Sequence, residues 1–390
     1  MVKPFQFARL PMIYFGSGKI SKLPEIVSCY GKSVLLVTGA RSFMDSRRAG
    51  LLFDMFGSNG IAFKHVPVRS EPSPETIDET ILKFRGSEPN VVVSIGGGSV
   101  IDAGKAISAM LGKTGSVREY LEVVGTREHP GTKVPFIAVP TTSGTGSEAT
   151  KNAVISQVGK EGFKRSLRHD NLVPDVAIVD PELTLDCPPE ITAASGMDCF
   201  TQLTEAYFST KSNEYTDALA LEGIKAIKRS LIRSYNHGDN IDARADMSFA
   251  ALTSGICLAN AGLGAVHGLA GTIGALFDIP HGVVCGTLMV PANELNVSEL
   301  RKERSGEAAL HKYAILGSLF SDTADKSATY YVDFFLDYLR AVTHSLDLPM
   351  LSSYGLTSDY LPVIAAQSDV KNNPVRLNTG HLEEILRQRL

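Results

Sequence analysis

His267 and His281 stand in the stretch GLGAVHGLAGTIGALFDIPHG, residues 262–282, where they are the only residues of their type. Residues 248–277 contain no Asp, Glu, Lys or Arg. An imidazole in such surroundings loses water and needs a partner. Two of them, 14 residues apart, suggest a shared one. On one continuous helix they would sit about 21 Å apart, at about 1.5 Å per residue. One metal ion with nitrogen bonds of about 2.0–2.1 Å could not take both. A shared ion therefore requires the chain to fold back between them. Gly271 and Gly274 are expected to loosen the helix, and Asp278-Ile279-Pro280 to end it. His281 would then open the next helix, facing back toward His267. Further ligands are on offer in ASGMDCFTQ, residues 194–202, which reads as a helix start. Asp198 and Gln202 are four apart and share a helical face. Asp198, His267 and His281 make one carboxylate and two imidazoles, a set suited to zinc or ferrous iron with a position open to substrate. The same histidines could equally be hydrogen-bonded core residues, and spacing alone leaves both readings standing.

The first half of the chain must position these groups on an α/β scaffold. Apolar runs at 34–37, 61–68, 91–95, 136–139 and 176–179 read as strands, and 74–84 and 99–110 read as helices between them. Apolar strands with helical crossovers predict a mainly parallel, Rossmann-like sheet covered on both faces. Ligands of such sheets bind beyond the carboxyl ends of the strands. Two loops fall at such ends. Gly96, Gly97, Gly98 and Ser99 follow the third strand and open a helix, which favours an anion. A plain turn is an equal reading, because the glycines do not form the Gly-x-Gly-x-x-Gly pattern. PTTSGTGS, residues 140–147, follows the fourth strand with small hydroxyls and glycines. After residue 183 strand-like runs cease. Helical periodicity takes over at 197–208, 215–235, 244–261, 308–320 and 329–345. The expectation is an α/β domain over 1–183 and an all-α domain over 184–390.

Composition sets bounds. At 390 residues the chain has room for two cores, and 44% apolar with 21% charged residues is ordinary for a soluble protein. A net charge of −4 gives no argument for nucleic acid or an anionic membrane. The uncharged run 248–277 is long enough to span a bilayer, but its six glycines, Asn260 and His267 read better as a buried helical centre. The N-terminus lacks a continuous apolar signal region. Five widely spaced cysteines without a Cys-x-x-Cys pair predict reduced thiols and a cytoplasmic location. Cys199 and Cys285 read as buried small residues.

At this point the motifs line up. HGLAG and PHG around the two histidines, GMD at 196–198, GGGSVIDAGKA at 96–106, PTTSGTGSEAT at 140–150, LVPDVAIVDPEL at 172–183 and Asn372-Asn373-Pro374 occur in order over nearly the whole chain. Together they resemble the iron-dependent (group III) alcohol dehydrogenases, within the dehydroquinate synthase-like superfamily. The resemblance implies a nicotinamide-dependent, metal-assisted alcohol dehydrogenase or aldehyde/ketone reductase, acting on a small molecule as a homo-oligomer, a dimer. It implies Asp198, Gln202, His267 and His281 as ligands of Fe²⁺ or Zn²⁺ in a cleft between the domains. It implies NAD(P)H on Gly39, Gly96, Gly97, Gly98, Ser99, Asp102, Thr141, Thr142, Thr145, Lys164 and Leu183, with Lys164 near the nicotinamide ribose. Asp102 and Lys105 also read as a surface ion pair.

The chain departs from the family in places. Gln202 stands where the family usually has a second-ligand His, and Gly271 where another His often follows. An amide oxygen is a harder, weaker donor than imidazole, so weakened metal binding is expected. In many relatives an acid follows the first strand. Here Val37-Thr38-Gly39 lacks it and Arg41 follows, so NADPH is expected to be accepted, with NADH still usable. Two other readings stay open. One is a metal-free reductase of the maleylacetate reductase type, and the other a dehydroquinate synthase-like lyase or cyclase. Lys151 and Asn152 could meet a polar substrate, but a surface position is favoured.

Overall fold

The structure is a computed structural model, which describes the chain apart from Met1, Lys3, Ser87, Glu88, Lys371 and the side chain of Arg304. Its first half alternates β1 (Met12–Phe15), α1 (Leu23–Ser28), β2 (Ser33–Gly39), α2 (Arg47–Ser58), β3 (Ala62–Val68), α3 (Pro74–Phe84), β4 (Val91–Gly96), α4 (Gly98–Met110) and β5 (Phe136–Pro140). A hairpin of β6 (Asn152–Gln157) and β7 (Phe163–Arg168) precedes β8 (Val176–Val179). Six strands form one sheet in the order β1-β8-β5-β4-β2-β3, and each pairing is parallel. The central strands β4 and β5 are buried at every position. That suits their β-branched, uncharged composition, since helices cover both faces. The five expected strands all occur. The edge strand β1 and the β6–β7 hairpin were not expected.

The connectivity makes a crevice. β2 leads to β3 on one side and β4 returns to its other side. Chain direction therefore diverges between β2 and β4, whose carboxyl ends are Gly39 and Gly96. This is the switch point at which open α/β sheets bind ligands.

Beyond β8 every regular element among the described residues is helical: α5 (Pro189–Phe208), α6 (Glu214–Asn236), α7 (Ile241–Ala261), α8 (Ala265–Leu276), α9 (His281–Leu300), α10 (Glu307–Phe320), α11 (Ala328–Ser345), α12 (Leu361–Gln367) and α13 (Thr379–Arg387). Phe200 and Leu203 of α5, Leu231 of α6, Met247 of α7 and Phe335 of α11 belong to one core. Each such side chain contributes about 1.5–3 kcal/mol on full burial.

Three local expectations change. GMD is not a helix start: α5 begins at Pro189, and Gly196 lies inside it because Leu231 occupies the space a side chain would take. Gly271 and Gly274 do not break α8, which runs unbroken through both. Gly274 instead makes room for Lys164, whose Cδ would stand 3.0 Å from a Cβ there. The uncharged run is divided between α7 and α8, which meet at a 98° bend. No single helix among the described residues is long and apolar enough to cross a membrane.

The loop after β5 is fastened to the helical half. Gln202 Nε2 donates to the Gly144 carbonyl at 3.3 Å, and the Ser143 and Ser248 hydroxyls are 3.2 Å apart. Gly146 and Gly255 touch backbone to backbone, so a Cβ on Gly255 would stand 2.1 Å from the Gly146 carbonyl oxygen.

Candidate active site

Both histidines sit at helix starts, His267 in the first turn of α8 and His281 as the first residue of α9. α8 ends at Leu276, Pro280 caps the next helix, and His281 is its first residue. The fold-back brings the two imidazole rings to 5.5 Å between centroids. Asp198 projects from α5 into the same space. Its Oδ1 lies 3.2 Å from His267 Nε2 and 3.8 Å from His281 Nε2. Cys285, one helical turn after His281, joins them: one donor atom from each of Asp198, His267, His281 and Cys285 lies within 4.8 Å of the others. Gln202 lines the same cleft.

Electrostatics favours a cation here. Glu205 Oε2 accepts from His267 Nδ1 at 2.6 Å, and Glu205 Oε1 accepts from the Val266 amide at 2.7 Å. That pairing fixes the ring and leaves Nε2 facing Asp198, the carboxylate–histidine arrangement seen behind metal ligands. Burial opposes charge on His267, yet Cys285, Glu205 and Asp198 together hold it well above the usual histidine range. Burial would raise Asp198, but His281 and His267 outweigh it and keep the carboxyl below its ordinary value. Burial pushes His281 down to about 4, so its imidazole is neutral and keeps a lone pair. Of the charge that two buried carboxylates require, a protonated His267 carries one unit, and a divalent ion displacing its Nε2 proton would supply the whole. Gln202 Oε1 is buried with no hydrogen-bond partner among the described residues. A divalent cation fits this donor set.

The cleft is lined on its other wall by Gly98, Ser99, Asp102, Thr145 and Lys164. Its mixed polar and apolar lining suits a small ligand beside a cofactor ring. Gly97 caps the N-terminus of α4. Gly98 has no room for a side chain, because Thr145 Cγ2 would stand 2.6 Å from a Cβ there. The two glycine-containing loops therefore close on one another. Thr141, Thr142 and Leu183 line an adjoining cavity with Ser42 and Phe43. Gly39 and Gly96 end the strands at the crevice. Arg41 is exposed.

Asp102 and Lys105 are not a surface pair. Lys105 is fully buried and donates to the Ser147 and Asn152 carbonyls and to the Ser147 and Thr150 hydroxyls. Asp102 accepts from Ser147 Oγ at 2.5 Å and from the Val154 amide at 3.1 Å. Lys164 is held by Glu71 at 2.5 Å. Lys151 pairs with Asp170 away from the cleft, whereas Asn152 lines it.

Sequence reasoning passed over Glu205 and Glu71, and read Cys285 as a buried small residue, which it is, without a place in the site. Glu205 follows Asp198 and Gln202 at helical spacing, and Cys285 follows His281 by four, so both lie on faces already singled out. Asn373 was noted only within a motif. Its Oδ1 accepts from the Ala265 amide at 3.2 Å, at the start of the helix that carries His267.

The geometry is that of a nicotinamide- and metal-dependent oxidoreductase. Comparison with known proteins agrees. Residues 11–181 match the family model for iron-containing alcohol dehydrogenase, and residues 192–390 match that for the C-terminal part of the Fe-containing alcohol dehydrogenase family. Alcohol dehydrogenase 4 of Saccharomyces cerevisiae is 36% identical over 309 residues, covering 77% of this chain and 78% of the yeast protein. The NADPH-dependent butanol dehydrogenase of Clostridium saccharobutylicum is 33% identical over 349 residues, covering 88% and 85%. A crystal structure of 1,3-propanediol oxidoreductase superposes with a TM-score of 0.89 at 28% identity, covering 100% of both chains. The chain belongs to the iron-containing alcohol dehydrogenase family. It is an oxidoreductase that interconverts alcohol and carbonyl compounds with a nicotinamide cofactor and a divalent metal.

Proposed function

We propose that hydride transfer takes place between a nicotinamide lying over Gly98, Ser99 and Lys164 and a small alcohol or aldehyde placed against Asp198, His267 and His281. The convergence of those three side chains on one cleft with the α4 N-terminus carries this reading. The chain divides at residue 183 into a dinucleotide-binding part and a helical metal part. Supporting this, the last sheet strand ends at Val179 and the first long helix begins at Pro189. In this reading Asp198, Gln202, His267 and His281 hold the ion, Fe²⁺ or Zn²⁺. When bound, the ion and the cofactor supply a Lewis acid for the substrate oxygen and a hydride donor or acceptor. The protein's own residues bind and orient. Gly96, Gly97, Gly98 and Ser99 receive the pyrophosphate at a helix N-terminus. Thr141, Thr142, Thr145 and Leu183 border the rest of the cofactor. Asp102 acts indirectly, holding Ser147 and the Val154 amide beneath the cleft. Glu71 fixes Lys164 toward the nicotinamide ribose.

NADPH is accepted along with NADH, because no acid follows β2 to repel a 2′-phosphate. The chain works as a cytoplasmic homodimer. Its edge strand β1 leaves Met12 and Phe15 exposed, which is consistent with pairing between copies. The test is turnover with an alcohol and aldehyde panel and both cofactors, in wild type and His267→Ala. The variant is expected to lose its metal and on the order of 10³-fold in kcat/KM, as removal of several kcal/mol of Lewis-acid stabilisation requires. Full metal content with full activity in that variant would sink the assignment.

A further inference from the structure

We infer that Cys285 is a further metal ligand, standing with Asp198, His267 and His281 around the ion and favouring zinc. This rests on the metal reading above but assigns a donor outside it. Cys285 Sγ is 3.6 Å from His267 Nε2 and 3.6 Å from His281 Nε2. A tetrahedral zinc with bonds of about 2.3 Å to sulfur and about 2.05 Å to nitrogen separates those donors by about 3.6 Å. The same geometry separates nitrogen from oxygen by about 3.3 Å, against 3.2 and 3.8 Å from Asp198 Oδ1 to the two imidazoles. Three of the four separations are those of donors around one ion, and the Asp198–His281 pair at 3.8 Å would draw in by about 0.5 Å on binding.

The two 3.6 Å contacts also fit a thiol that accepts from one imidazole and donates to the other. What assigns the ion is the convergence of all four donor atoms within 4.8 Å of one another. His281 and Cys285 are four apart on α9, the spacing that puts two ligands on one helical face. On binding, the thiol proton leaves to solvent and the thiolate takes its place. With the Asp198 carboxylate it cancels the two charges of the ion. Gln202, a neutral amide, cannot supply that charge, and the structure shows a thiol where the second charge is needed. A soft thiolate favours zinc over ferrous iron.

The experiment uses the intact zinc- and cobalt-loaded protein. X-ray absorption on the zinc form is expected to show one sulfur neighbour at about 2.3 Å. The cobalt form should carry a near-ultraviolet thiolate-to-cobalt charge-transfer band. Cys285→Ser should abolish that band, and Cys257→Ala should keep it. If Cys285→Ser fails to fold, the sulfur shell of the wild-type zinc form decides alone. Bound metal with only nitrogen and oxygen neighbours, or a band indifferent to Cys285→Ser, overturns the proposal and leaves the metal reading intact. A protein that takes up neither ion overturns both.

Discussion

At the carboxyl ends of β4 and β5 the cleft wall is backbone and small hydroxyls, packed so closely that Gly98 cannot carry a side chain. Across it the wall is made of side chains gathered from α5, α8 and α9, among which His267 is oriented by Glu205. The first wall owes its affinity to peptide groups, which substitution rarely removes. The second owes it to a few atoms, and the carboxylate behind His267 is replaceable. Change should therefore be costly on the metal side and should redirect cofactor choice on the other.

Apart from loss of His267 itself, the largest effect is expected from Glu205→Gln. The amide can still accept from the Val266 backbone but no longer pairs a charge with His267 Nδ1. Metal affinity should fall by roughly 10–100-fold, read by competition with a chromogenic chelator. Unchanged affinity would mean that the metal side is no more dependent on supporting partners than the backbone side. Next comes Gln202→His. It places an imidazole on the face shared with Asp198 and should tighten the ion by on the order of tenfold, about 1.4 kcal/mol. Wild type, by contrast, should lose part of its metal on purification and respond to added ion. A wild type that holds its metal firmly against chelator would remove Gln202 as the weak point. The smallest effect is expected from Gly39→Asp. A Cβ there meets only Ser42 Oγ at 3.7 Å, so the fold accepts the change. The ratio of catalytic efficiencies for NADPH over NADH should drop by on the order of tenfold. A wild type that already prefers NADH strongly, with the ratio unmoved in the variant, would take Gly39 out of the argument.

What could be read beforehand follows the same division. The strands β2, β4, β5 and β8 announce themselves as unbroken apolar runs, because a sheet covered on both faces imposes one demand on every residue. The β6–β7 hairpin does not. Phe163, Ser166 and Leu167 are buried, but Lys164, Arg165 and Arg168 interrupt them, and only the partner strand explains the pattern. β1 is four residues long and paired on one side, so its identity comes from β8. In the site, the histidines were legible because an imidazole in an uncharged run demands an explanation. Glu205 and Cys285 were not, since neither is unusual until the fold-back of α8 onto α9 brings His267 to them. Lys105 misled for a related reason: a lysine four carbons long is normally at the surface, and only the closed loop after β5 supplies the oxygens that let it be buried.

The contact between Gly146 and Gly255 has a bearing on motion. With two main chains touching and no side chain between them, the loop after β5 has nothing to slide on. Gly144 adds a second tie through Gln202 and Ser254. That stretch of the cleft floor travels with α5 and α7 as one body. Any breathing that admits and releases a dinucleotide must flex elsewhere, with its hinge in other connections between the sheet and the helices.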